Sequence, residues 1–378
     1  MKVGTPKETA PDEHRVALVP DTATRLAAAG LEVSVESGAG AAAFIDDEAY
    51  RKAGVKVAAD QASLLGEADA VLKVQAPSLA EVELLERDAF LISFLQPATQ
   101  GDVVRALAAR HVTAFSLELV PRISRAQSMD ALSSQASAAG YKSVLIAAAR
   151  LGKFFPMMMT AAGTVAPARV LVMGAGVAGL QAIATARRLG AVVSAYDVRP
   201  AVKEEVQSLG ATFIELALET QEGEGGYARE QSEEFLRKQR ELIGEHVGKS
   251  DVVITTAAVP GRRAPLLVTA DMVKGMRPGS VIVDLAADTG GNVQVTRPGE
   301  EIEVGGVTVV GTRNLPATMP LHASQLYARN VSNLLLHLVK DGAITLDFTD
   351  EITKGCCVTH AGEVVSERAK QLLEAAAK

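Results

Sequence analysis

Tryptophan is absent from these 378 residues, aromatic side chains make up only 4% of them, and there are just two cysteines. The two are adjacent, Cys356 and Cys357, and vicinal cysteines seldom pair with each other. With no CxxC and no Cys/His cluster, neither a disulfide scaffold nor a metal site is expected, and a reducing compartment fits best. Excess positive charge is also missing. The formal charge is −7, which argues against nucleic acid or an anionic membrane surface as the main partner. No basic start followed by an apolar core opens the chain, so no signal peptide is expected. The most apolar stretch, Phe154 to Ala168 between Lys153 and Arg169, contains Pro156, Gly163 and Pro167. It is too short and too broken to span a bilayer. A soluble protein is expected, one still able to dock on a membrane protein.

What is present is core material: 48% of residues are hydrophobic and 22% charged, a balance that disfavours disorder. The length suggests two domains of roughly 150–200 residues each. Short β-branched runs alternate with helical patterns from end to end. In the first third the runs are Lys2–Thr5, Glu32–Glu36, Ala70–Val74, Phe90–Phe94 and Val112–Leu117, with helical patterns at Thr22–Ala29 and Asp102–Ala109 among them. A long helix is expected from Ala131 to about Gly152. Beyond it come Val170–Met173, Val192–Tyr196, Thr212–Glu215, Val252–Thr255, Val281–Leu285 and Val307–Val310, then a second long helix over Leu321–Val339. This rhythm predicts an α/β protein, two Rossmann-like doubly wound parallel-sheet domains joined by long helices. The first is expected to be discontinuous, 1–130 plus 321–378, and the second to cover 131–320 with its linking helix.

The strongest local signal is Arg169-Val-Leu-Val-Met-Gly-Ala-Gly-Val-Ala-Gly-Leu180, a GxGxxG at the end of an apolar strand and the mouth of a helix. Gly174 permits the tight turn, Gly176 lets backbone N–H groups reach a pyrophosphate, and Gly179 lets helix and strand pack closely. Val177 and Ala178 then supply the first N–H groups of the helix, whose field stabilises an anion by roughly 0.3–1 kcal/mol. Downstream, a helix, the stop at Gly190 and the strand Ala191–Tyr196 lead to Asp197, where an acid about 20 residues beyond the glycines accepts ribose hydroxyls. Strand, glycines, helix, strand and acid in register predict NAD(H) binding. A carboxylate about 4 Å from a 2′-phosphate repels it by roughly 1 kcal/mol in water and about 4 at an effective dielectric of 20, so Asp197 favours NAD. Arg199, beside Val198, is the counter-signal, since arginine accepts such a phosphate. The strand-end segments holding Thr256, Ala257 and Asp288 are further candidates for the nicotinamide ribose pocket.

Several segments together resemble one family. Lys7-Glu8-Thr9 through Glu13-His14-Arg15-Val16-Ala17, the glycine fingerprint, and Asp197-Val198-Arg199-Pro200-Ala201 are similar to alanine dehydrogenases and to the soluble NAD(H)-binding subunit of proton-translocating nicotinamide nucleotide transhydrogenases. The loop Pro121–Asp130 resembles the transhydrogenase loop that faces the nicotinamide. The resemblance implies Gln127, Arg122 and Asp130 as the residues there: Gln127 can pair with an amide, and Asp130 can hold Arg122. The plain alternative is that Ser128 or Asp130 caps the following helix. Gly223-Glu-Gly-Gly-Tyr227 resembles the transhydrogenase mobile loop, which implies that Tyr227 closes over bound nucleotide; on residues alone a surface linker is the preferred reading.

Alanine dehydrogenases are similar around Arg15 and Lys73 but carry a histidine acid/base where this chain has Gln96. An amide cannot exchange a proton at neutral pH, whereas amino-acid oxidation moves a proton as well as a hydride. The resemblance therefore implies a transhydrogenase subunit that passes hydride from NADH to NADP⁺ on a partner domain. It also implies membrane alpha-2 and beta subunits that move protons, a peripheral position on the cytoplasmic face, and a homodimer. A soluble alanine dehydrogenase is the alternative, and a nucleotide-sensing subunit without turnover is a third class.

Overall fold

The computed structural model describes residues 1–215, 233–258 and 263–376. Tyr227 and its glycine-rich segment lie outside the described residues. The chain divides into two compact units, Met1–Gln135 with Pro316–Lys378, and Ala136–Leu315.

In the first unit six parallel strands lie in the order Thr113–Ser116, Phe90–Ser93, Ala70–Leu72, Lys2–Thr5, Glu32–Glu36, Lys56–Ala58. The alternating helices begin at side-chain caps where the sequence provides them. Asp46 accepts from the Ala49 N–H, Asp60 from Ser63, and Ser78 with Glu81 forms a capping box. The sheet is not wholly parallel, as expected from sequence, but mixed: Cys357–His360 adds antiparallel beside Thr113–Ser116, and Glu363–Val364 pairs antiparallel beyond it. The residues after the helix Pro320–Leu338 thus complete the first sheet from far along the chain.

The second unit repeats the strand order: Thr212–Phe213, Val192–Tyr196, Arg169–Met173, Val252–Thr255, Val281–Asp284, Val307–Gly311. Here too the edge departs from the parallel expectation, because Glu301–Val304 lies antiparallel to Val307–Gly311. The strand Arg169–Met173 shows the period of two directly. Val170 and Val172 join one apolar layer with Val144, Ile183 and Val283, while Leu171 and Met173 join the other with Ile243, Val253 and Ile282. The inner strands Val252–Thr255 and Val281–Asp284 are buried at every position, which is why they read as unbroken apolar runs. In both units the order reverses between the first and fourth strands, and ligands of open α/β sheets bind at that switch point.

Candidate functional site

At the switch point of the second unit the three glycines differ in what they do. Gly174 has φ +98°, and a Cβ there would stand 2.6 Å from the Thr256 Oγ1. A Cβ on Gly179 would overlap the Gly174 carbonyl oxygen, so helix and turn meet only because both are glycine. Gly176 is different. Its φ of −76° suits any residue, and a Cβ there would point into open space. Only a ligand explains why that space is kept clear. Gly176 is the N-cap of the helix Val177–Arg188 and brings no side chain to cap it. The first N–H groups, from Val177 onward, are left to an anion. Val177 is 42% exposed.

Asp197 ends the second strand and ties the turn down. Its Oδ2 accepts from the Ala175 N–H at 2.7 Å, and its carboxylate also accepts from the backbone N–H and guanidinium of Arg199 at 2.9–3.0 Å. Arg199, which the sequence leaves as the counter-signal, is thus drawn onto the acid and neutralises it. Val198, partly buried, packs against the apolar layer beneath.

On the other side of the switch point Thr256 donates to the Gly174 carbonyl at 3.0 Å, and Ala257 is held at both ends by Asn292. Asn292 is itself fixed by Asp284, which is fully buried. That carboxylate accepts from the Thr255 hydroxyl and from the backbone N–H groups of Ala286, Asn292 and Val293. Sequence reasoning missed both residues, since Asp284 reads only as the end of an apolar run. Gly140 was missed as well: a Cβ on it would overlap the Ala178 carbonyl oxygen, so the helix Ala131–Arg150 touches the first turn of the glycine helix at this point. Asp288 points elsewhere, half exposed and 3.2 Å from Arg313.

The loop candidates belong to the first unit. Ser124–Met129 forms a 3₁₀ turn, with Ala126 and Met129 buried and Arg122 and Gln127 exposed. Among the described residues the Gln127 amide has no hydrogen-bond partner. Asp130 turns both carboxylate oxygens to Ser133, accepting from its N–H at 2.9 Å and its hydroxyl at 2.6 Å. The capping alternative therefore describes Asp130, in place of the expected grip on Arg122.

Arg15 and Lys73 sit in the interior of the first unit. Arg15 is bidentate on Glu13 at 2.6–2.8 Å and reaches Gln135 at 2.8 Å, while Lys73 is 2.8 Å from Glu81 and 3.5 Å from Glu8. Burial pushes the Glu13 carboxyl up, but the hydrogen bonds and charge of Arg15 outweigh it and hold the group at about 2. Glu8 is raised by burial despite Lys73. Gln96, exposed and with φ +48°, donates to Gln75 at 3.0 Å, and Gln75 donates to Glu13 at 2.7 Å.

Sequence profiles described as "Alanine dehydrogenase/PNT, N-terminal domain" and "Alanine dehydrogenase/PNT, C-terminal domain" match residues 4–139 and 143–367. The chain is 50% identical over 375 residues to the first of the separately encoded alpha chains of the NAD(P) transhydrogenase of Rhodospirillum rubrum, covering 97% of this chain and 98% of that one. It is 30% identical over 330 residues to the alanine dehydrogenase of Methanococcus maripaludis, covering 84% and 82%. Among solved structures, a transhydrogenase from Sinorhizobium meliloti superposes with a TM-score of 0.86 at 45% identity, covering 97% of this chain and all of that one. An L-alanine dehydrogenase gives 0.84 at 28% identity with full coverage of both.

Proposed function

The chain belongs to the alanine dehydrogenase/PNT family, as an alpha-type subunit of an NAD(P) transhydrogenase, and from that premise we propose how its residues take part. The second unit holds NAD(H), with the pyrophosphate at Gly174, Gly176 and Gly179 and on the N–H groups of Val177 and Ala178. Asp197, with Val198 and Arg199, takes the adenosine ribose, and Thr256 and Ala257 border the nicotinamide end. Asp288 and Tyr227 are secondary candidates for the same pocket. One observation carries this reading: the uncapped helix N-terminus at Gly176, facing space that a single methyl group would enter.

The nucleotide supplies the hydride when bound; the chain's role is to bind, orient and leave the ring accessible. Gln127 and Arg122 face the nicotinamide from the loop whose backbone Asp130 secures. The acceptor is NADP⁺ on a domain of the partner membrane subunits, and positioning of two reactants is worth up to roughly 7–11 kcal/mol. Gln96 supports this over amino-acid oxidation, because its amide offers no proton-transfer group where alanine dehydrogenases have histidine. No helix among the described residues is long and apolar enough to cross a membrane. Placement on the cytoplasmic face then depends on the alpha-2 and beta subunits. A homodimer is favoured by the hairpin Met158–Thr160 with Gly163–Val165, whose residues are all exposed and uncharged, with Met159 75% exposed. An isolated two-stranded apolar ribbon needs a cover.

The test is co-purification with the membrane subunits, followed by sizing of the complex and an NADH to NADP⁺-analogue hydride transfer assay. The expected result is transfer by a complex containing two copies of this chain. Steady NADH production by the chain alone from NAD⁺ and alanine would replace this reading with the dehydrogenase one.

A further inference from the structure

We propose that Asn330 and Asn333 are positioning residues for hydride transfer, clamping the turn that presents Gln127; the inference rests on the role given to Gln127 above. Both lie on the helix Pro320–Leu338, three residues apart and so on one face. Both donate a side-chain N–H to the same atom, the Ser128 carbonyl oxygen, at 2.9 and 3.0 Å. A carbonyl oxygen has two lone pairs, and here both are filled.

Each asparagine is in turn fixed at its oxygen end. Asn330 accepts from the Ser134 hydroxyl at 2.7 Å, and Asn333 from the Arg25 guanidinium at 2.6 Å. The orientation of both amides is thereby determined, because only Nδ2 is left to point at Ser128. On either side of Gln127 the chain is anchored by the buried side chains of Ala126 and Met129. A 3₁₀ turn has weaker internal hydrogen bonds than an α-helix and needs such external holds. Three helices thus converge on one carbonyl next to an exposed amide with no partner among the described residues. Packing alone would not put two asparagines, one of them 8% exposed, against a surface turn. Holding a ligand-facing group still does, since a shift of about 1 Å far from the chemistry can slow a reaction by about a hundredfold.

The discriminating variant is Asn333→Asp. It keeps the size and improves the pair with Arg25, but replaces the donor to Ser128 with a second acceptor. Asn333→Ala removes both contacts. In the complex assembled with its membrane subunits, each variant should slow single-turnover hydride transfer from NADH to an NADP⁺ analogue by about tenfold or more, with NADH affinity changed less than about twofold. Combined with Gln127→Asn, the losses should fall short of multiplying, because both act through one side chain. Wild-type transfer rates in Asn333→Asp would overturn the clamp while leaving the function intact. A parallel fall in rate, NADH affinity and thermal midpoint would mean a merely structural contact and also overturn it. A wild-type complex that transfers no hydride at all would remove both readings.

Discussion

The two sheets share a strand order, yet the same place in each has opposite chemistry. In the second unit the first strand reaches its helix through Gly174–Gly176, and the helix begins with bare N–H groups. In the first unit the chain takes residues 6–19 to pass from the strand Lys2–Thr5 to the helix Pro20–Ala28. Pro20 removes one donor there, and Thr22 closes the end by bonding Val19 in both directions. The fourth strand of the second unit ends at Thr256, small enough to leave room. That of the first ends at Lys73, which with Glu8, Glu81, Glu13 and Arg15 fills the interior with paired charge. Topology offers a crevice in both units. Only the unit that leaves its helix end uncapped keeps a place for an anion.

The largest difference should appear when charge is removed from the first unit. Glu13→Gln leaves Arg15 buried without its partner, and breaking such a pair costs about 3–5 kcal/mol. The pH dependence follows from the same contact. The folded carboxyl is held near 2 against an ordinary value of 4.5, so its contribution is present above 4.5 and lost as pH falls toward 2. That window corresponds to about 3 kcal/mol. Urea unfolding at pH 7 and pH 3 should show the wild-type loss on acidification and a shallower one in the variant. Equal slopes in both proteins would mean that the pair contributes nothing specific. NADH affinity at pH 7 should be unchanged, because the site lies in the other unit.

Smaller but more selective effects are expected from the glycines of the second unit. Gly176→Ala adds a methyl where nothing in the protein stands, at an unstrained φ, so stability should stay within about 0.5 kcal/mol. NADH binding should weaken by about tenfold to a hundredfold, the worth of one hydrogen bond to a charged group. Gly179→Ala forces helix and turn apart and should lower the thermal midpoint and the affinity together. If Gly176→Ala bound NADH like the wild type in a fluorescence titration, the turn would not be the pyrophosphate cradle.

How much of this was legible depended on the range of the interaction. The strands around the switch point could be read to within a residue or so, because a fully buried parallel strand is a continuous apolar run. The glycine turn was legible because its parts are adjacent in sequence. The edge strands were not: Glu301–Val304 alternates charge with half-buried residues, and Lys56–Ala58 is short and half exposed. Cys357–His360 finds its partner only by pairing with a strand near residue 115. The supports of the site were hidden for the same reason. Asp284 and Asn292 hold Ala257 through contacts within a folded loop, and Asn330 and Asn333 sit in the polar-mixed stretch of a long helix. Asp130 admits two roles in the sequence, and the local one, capping, is the one its oxygens perform.

The subtlest contrast lies at the ends of the second strands. Each unit has a carboxylate there that accepts a backbone N–H from the turn after the first strand: Glu36 from Lys7 at 2.8 Å, Asp197 from Ala175 at 2.7 Å. Tying the turn to the neighbouring strand is thus common to both units and implies no ligand. What distinguishes Asp197 is its place beside the open helix end and the arginine drawn onto it. If it also reads the ribose, Asp197→Asn should lower the preference for NADH over NADPH by about fivefold, the roughly 1 kcal/mol of a screened charge on a phosphate. Glu36→Gln should leave that ratio alone. Titrating both nucleotides against both variants decides the matter. An unchanged ratio in Asp197→Asn would reduce this acid to the same tether as Glu36, and the discrimination between nucleotides would have to come from Arg199 or from shape.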